Sequence, residues 1–103
     1  MSEDHHFLLG GVKWLLRLTR LRGNAAGWAC MPDEKNPQIQ RKILIDCRLK
    51  GRSLLETIIH ECLHAIFPQL SEESVTAAAR DIARVLWALG YRVDKEKASP
   101  PSA

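Results

Sequence analysis

Apolar and polar residues alternate along the first half of the chain. Val12, Trp14, Leu16 and Leu18 fall on one side, and Lys13, Leu15, Arg17 and Thr19 fall on the other. A period of two fits a strand with one face in a core. Gly23-Asn24 then predicts a turn. Ala26 to Met31 is a short apolar piece that reads as a second strand, and Pro32 to Pro37 reads as a polar loop. A third strand is expected from Ile39 to Leu49. Ile39, Arg41, Ile43 and Ile45 lie on one side of it, Gln40, Lys42 and Asp46 lie on the other, and Gly51-Arg52 closes it.

The second half has the signals of two helices. Ser53-Leu54-Leu55-Glu56 has the form of a capping box, in which serine and glutamate satisfy free backbone N–H groups at a helix start. That helix is expected to run to about Phe67 and stop before Pro68. Ser71 suits the N-cap of a second helix from Glu72 to about Leu89, terminated by Gly90. The order implies an α+β fold: a small, mainly antiparallel sheet of about three strands with two helices packed on it. Residues 1–93 read as one domain without internal repeats, and the Lys-, Ser- and Pro-rich stretch 94–103 reads as a disordered tail.

Composition agrees with this and removes some function classes. A chain of 103 residues, 46% apolar and 26% charged, suits one soluble domain with one modest core. The apolar stretch Phe7 to Leu21 is broken by Lys13, Arg17 and Arg20, and Met1 to His6 carries acids and histidines. Neither a membrane span nor a secretory signal is therefore expected, and the chain reads as cytoplasmic with no membrane partner. Cys30, Cys47 and Cys62 form no C-x-x-C pair, which implies reduced thiols, with Cys62 packing as a small hydrophobe. The net charge is +3, with basic clusters at Arg17, Arg20 and Arg22, at Arg41 and Lys42, and at Arg48, Lys50 and Arg52. Such clusters can attract nucleic acid, although a solvated strand face and basic turns account for them more simply.

The chemistry concentrates in His60-Glu61-Cys62-Leu63-His64. On a helix, about 100° per residue puts Leu54, Leu55, Ile58, Ile59, Cys62, Leu63, Ala65 and Ile66 on one broad arc. Ser53, Thr57, His60, Glu61 and His64 fall on the opposite arc. Two imidazoles one turn apart can reach the same ion, about 2.0–2.1 Å from each nitrogen. Glu61 stands about 100° round from His60, where it can serve a water on that ion as general base. A catalytic zinc site commonly takes a third protein ligand and leaves one position open. The next helix offers one. Its expected apolar face holds Val75, Ala79, Ile82, Leu86 and Leu89, and Glu72 lies one turn before Val75 at its edge, while Glu73 points nearly opposite. Glu72 is thus the preferred ligand and Glu73 the alternative. Asp46 reads as a strand exit, and Asp81 as a solvent ion pair or a group orienting a histidine. Tyr91 reads as a packed aromatic or an aid to a reaction intermediate, and His5 and His6 as mobile terminal residues.

This motif, preceded by a strand and followed by a helix with glutamate at its start, resembles the zincin metallopeptidases, most nearly their gluzincin branch. The metzincin pattern, with a third histidine six residues after the second, fails here because Leu70 holds that position. Ile39 to Arg92 is similar to small phage and bacterial H-E-x-x-H proteins and more loosely to SprT-like domains. The resemblance implies a minimal zincin-like core holding one zinc ion per chain, with His60, His64 and Glu72 as ligands and Glu61 as base. It also implies a peptide or protein substrate, with Ile39 to Asp46 as the sheet edge along which peptide lies. Two other readings stay open: a non-catalytic metal-binding or interaction module, and a nucleic-acid-associated protein. Oligomeric state is not legible, and two imidazoles with a carboxylate also suit iron, cobalt or nickel.

Overall fold

The computed structural model describes residues 3–93. It is an α+β fold with four strands, β1 (Glu3–Leu9), β2 (Val12–Thr19), β3 (Gly27–Cys30) and β4 (Lys42–Asp46), followed by helices α1 (Gly51–Ile66) and α2 (Glu72–Ala88). The strands form one sheet in the order β1-β2-β4-β3. β1 is antiparallel to β2 and β3 is antiparallel to β4, while β2 and β4 are parallel. The sheet is therefore mixed.

β1 corrects the expectation for the first residues. His5 and His6 pair with Leu16 and Leu15 within a strand. The hairpin turns at Gly10 and Gly11, with φ of 61° and 78°, a left-handed pair that only glycine adopts without cost and that matches the twist of a hairpin. Across the pair, Arg17 grips Asp4 with two hydrogen bonds of 2.8 and 3.1 Å. These contacts outweigh the polar start of the segment.

The period-two pattern of β2 holds at Trp14, Leu16 and Leu18, whereas Val12, expected beside them, is 39% exposed and Leu15, expected on the other face, is buried. Trp14, Leu16 and Leu18 join Ile43 and Ile45 of β4 under Leu54 of α1, and all six are buried. β4 is shorter than expected, and Ile39 lies outside it, 39% exposed. β4 also lies inside the sheet, between β2 and β3. The sheet edge beside the helices is thus β3, not Ile39 to Asp46.

α1 begins two residues before the expected cap. Its N-cap is Lys50, which makes no side-chain capping bond, so the Ser53–Glu56 capping box does not form. The turn after β4 sets the earlier start. The Asp46 carboxylate accepts the Arg48 backbone N–H at 3.0 Å, and the Arg48 guanidinium donates to the Leu21 carbonyl at 2.9 Å. Gly51, with φ of 62°, then turns the chain into the helix. At the other end the Phe67 N–H donates to Leu63, and Pro68 follows.

α2 follows its expected signals closely. Ser71 accepts the Ser74 N–H at 3.1 Å. The C-terminus closes with Gly90 N–H on Trp87 and Tyr91 N–H on Leu86, around Gly90 at φ 94°, the paired bonds of a left-handed glycine cap. Its buried stripe differs from the expected one: Val75, Ala79 and Ala83 are inside, whereas Ile82 and Leu89 are exposed. Among the described residues α2 packs on α1 and makes no packing contact with the sheet, so the layers are sheet, α1 and then α2. The small Ala79 and Ala83 let the two helices approach. No described helix is long and apolar enough to cross a membrane. The expected tail 94–103 lies outside the described residues.

Candidate metal centre

The antiparallel seam between α1 and α2 brings the candidate ligands together. His60 and His64 lie one turn apart on α1, and Glu72 opens α2 after the short connection at Phe67 to Ser71. The two Nε2 atoms are 3.2 Å apart. One Glu72 oxygen lies 3.1 Å from His60 Nε2 and the other 2.7 Å from His64 Nε2. Two donors about 2.0–2.1 Å from a tetrahedral ion stand roughly 3.3–3.4 Å apart. The His60–His64 and His60–Glu72 separations are near that spacing, and the His64–Glu72 separation is hydrogen-bond length. Among the described residues this is the one group of three metal-ligating side chains whose donor atoms converge, within 4.8 Å. Glu73, the alternative third ligand, is outside it. Two neutral imidazoles and a carboxylate are a donor set that divalent zinc accepts, so the residues fit the ion.

Glu61 is the second feature. It is 8% exposed, although the helical wheel put it on the polar arc. The strand β3 covers it. A Cβ built on Gly27 would lie 2.9 Å from Glu61 Cγ and 3.0 Å from Glu61 Oε2. Among the described residues the Glu61 carboxylate has no hydrogen-bond partner. Burial pushes its pKa above the ordinary carboxylate value, and Glu72 pushes the same way, while His60 and His64 oppose both. Glu61 and His60 line a cavity of about 200 Å³ with Gly27, Glu56 and Thr57.

The remaining candidates lie elsewhere. Asp46 ends β4, where the Arg48 guanidinium and backbone N–H hold its carboxyl at about 2. Asp81 pairs with Arg84 at 3.1 Å on the exposed side of α2. Tyr91 is exposed rather than packed, and the stacking at that end is the Arg92 guanidinium over Trp87 at 3.4 Å. Cys62 packs against the core, and burial raises its thiol pKa, which suits a small hydrophobe. Of the basic clusters, Arg17 and Arg48 are each neutralised by an aspartate.

Sequence reasoning missed Gly27. The available signal was a glycine inside a short strand pattern, which marks a close approach of another group to the backbone. It also missed that Arg52 and Arg80, 28 positions apart in the sequence, line one cavity of about 550 Å³ beside the first.

Compared with known proteins, the chain matches no family model, no curated protein and no solved structure.

Proposed function

We propose that this chain is a zinc-dependent peptidase in which His60, His64 and Glu72 hold one zinc ion and Glu61 acts as general base. The observation that carries the reading is Glu61: a buried carboxylate with no hydrogen-bond partner among the described residues, beside three converging donor groups. Leaving such a group unpaired costs stability, and arrangements of this kind concentrate where the perturbed basicity is used.

Zinc, when bound, lowers the pKa of a water and polarises a substrate carbonyl. The residues of the chain do the rest. His60 and His64 offer neutral ring nitrogens from one helical stripe, and Glu72 closes the set from the other side of the seam. Glu61 takes the proton of the attacking water and returns it to the departing amine. Peptide is the favoured substrate because β3 ends the sheet beside this cleft, and a sheet edge offers backbone donors and acceptors to an extended chain.

The test begins with metal analysis by mass spectrometry on untagged protein prepared without chelator. About one zinc per chain is expected from a single such site, lost in His60→Ala. Glu61→Gln is expected to keep the zinc and lose hydrolysis of a peptide library. Absence of metal after zinc is offered would overturn the reading. Zinc with no turnover of any peptide would leave the non-catalytic metal-binding module as the better account.

A further inference from the structure

The cleft continues past the metal centre. The cavity lined by His60 and Glu61 shares Ala26, Glu56 and Thr57 with the larger one, which also holds Arg52 and Arg80. The helices explain this. Arg52, Glu56, His60 and His64 recur every fourth residue along α1, and Glu72, Thr76 and Arg80 do so along α2. Because the helices are antiparallel, the stripes face each other in reverse order. Glu72 meets His60 and His64 at one end of the seam, and Arg80 and Arg52 border one cavity at the other. Among the described residues neither guanidinium has an ion-pair partner, and Glu56, between them and the metal centre, pairs with neither. Two cations on one concave surface repel each other unless an anion joins them, and a guanidinium fork suits a carboxylate.

We propose that Arg52 and Arg80 form a subsite for a substrate carboxylate on the C-terminal side of the cleaved bond. Direction follows from β3. Its beginning, at Ala26 and Gly27, borders the cavities near Arg52 and Glu56, and Met31, just past its end, borders a cavity with Ala65 and Ile66 at the end of α1. β3 thus runs along α1 in the same sense. A peptide added antiparallel to its free edge, the more stable pairing, runs from the Met31 end toward the arginines. Distance follows from the helix. Arg52 precedes His60 by eight positions, or about 12 Å along the axis. At about 3.4 Å per extended residue, the carboxylate belongs to the third or fourth residue after the cleaved bond. It is either an acidic side chain or the chain terminus. Glu56, halfway, disfavours a carboxylate nearer the metal.

The assignment rests on the metal cleft being where peptide binds, so the test separates binding from turnover. Zinc-loaded full-length Glu61→Gln is titrated, by fluorescence anisotropy, against three N-terminally fluorescein-labelled alanine–serine octapeptides. One is amidated and lacks acids, one ends in a free carboxylate, and one is amidated with a single internal glutamate near its C-terminus. Either carboxylate is expected to tighten binding at least about tenfold, as charge-assisted hydrogen bonds do, and the two peptides separate a terminal from a side-chain source. Adding Arg52→Gln or Arg80→Gln is expected to remove the gain with zinc content unchanged, and Arg80→Glu is expected to shift the preference to a lysine-bearing peptide. Equal affinity for all three peptides, or no binding, overturns the subsite. Carboxylate-dependent binding without turnover by wild type keeps the subsite and removes the peptidase reading. Turnover by wild type with no carboxylate preference does the reverse.

Discussion

Gly27→Ala tests the packing that sets the position of the base. The added Cβ would lie 2.9 Å from Glu61 Cγ, 2.9 Å from Thr57 Cγ2 and 3.0 Å from Glu61 Oε2. Carbon atoms pack at roughly 3.5–4.0 Å, so the shortfall is about 0.6 Å or more against two side chains on α1. Two relaxations are open. If β3 moves away, the overpacking costs about 1–3 kcal/mol, which for a domain this size lowers Tm by about 4–8 °C per kcal/mol. If Glu61 swings aside, stability is spared and the base is misplaced, and a displacement of 1 Å can cost on the order of 10²-fold in rate. Zinc content is expected to stay at the wild-type level in both cases, because the atoms that the added Cβ would crowd belong to Glu61 and Thr57 rather than to a ligand. Calorimetry, metal analysis and peptide hydrolysis on the same preparation distinguish the outcomes. Thr57→Ser removes Cγ2 alone, so in that background Gly27→Ala recovers part of any lost stability but not the lost turnover, since the Glu61 contacts remain. A Gly27→Ala protein with wild-type melting and wild-type turnover would refute the close approach of β3 to Glu61 and the view of Glu61 as a fixed base.

The other expectations are briefer. Glu72→Ala should weaken zinc binding by more than the roughly 10–100-fold typical of losing a residue that only orients a ligand, while Glu73→Ala should leave it near wild type; competition with a chromophoric chelator measures both. Saturating zinc should raise Tm, since a ligand at 100 times its Kd adds about 2.7 kcal/mol, and EDTA should reverse the rise in wild type and do nothing in His60→Ala. Asp46 has its pKa lowered to about 2 by Arg48; a depressed carboxylate pKa contributes stability above the unfolded value near 3.9 that is lost as pH falls through the folded one. The acid limb of wild-type stability between about pH 4 and pH 2 should therefore be shallower in Asp46→Asn, as followed by circular dichroism. Ser71→Ala should cost about 1 kcal/mol as a lost N-cap, and Ser53→Ala should stay within about 0.5 kcal/mol, because the serine actually capping a helix is Ser71; urea titrations would show the reverse order if α1 began at Ser53.

What was legible in the sequence follows the range of each interaction. The alternation in β2, the helix around His60 and His64, and the caps at Ser71 and Gly90 depend on neighbours within a few residues, and they stand in the fold. Helical phase favoured Glu72 over Glu73 as the third ligand and left Glu73 as the alternative; Glu72 is the one whose carboxylate lies beside His60 and His64. β1 was missed although Gly10-Gly11 announced a hairpin, because its strand residues begin as a run of acids and histidines. Strand order was not legible. That β4 lies inside the sheet while β3 forms its edge depends on pairing between segments that carry no local mark of their partners. The burial of Glu61 goes with that order, since the strand covering it is a separate segment. The pairing of Arg52 with Arg80 needs the antiparallel packing of both helices.

The layering also explains why the chemistry sits where it does. α1 is the middle layer, yet Leu54 and Glu61 are its only buried residues. Leu54 anchors it to the sheet, and Glu61 meets β3, so a side chain that weakens the core stands where an apolar residue would strengthen it. Replacing Glu61 with a leucine of similar reach would remove a buried carboxylate that has no hydrogen-bond partner among the described residues, and that exchange is often neutral or stabilising when both burial and shape are kept. Among the described elements α2 packs on α1 alone, and it presents Glu72, 68% exposed, to two half-buried imidazoles. At that exposure the contacts of Glu72 with the two imidazoles are worth about 0–1 kcal/mol each, too little to explain three converging donors as a stability device. An ion shared by His60, His64 and Glu72 would tie the outer helix to the middle one directly. The buried Glu61 carboxylate thus costs α1 stability on the side of β3, and the Glu72 contacts add little on the side of α2, as expected if binding rather than stability placed these residues there.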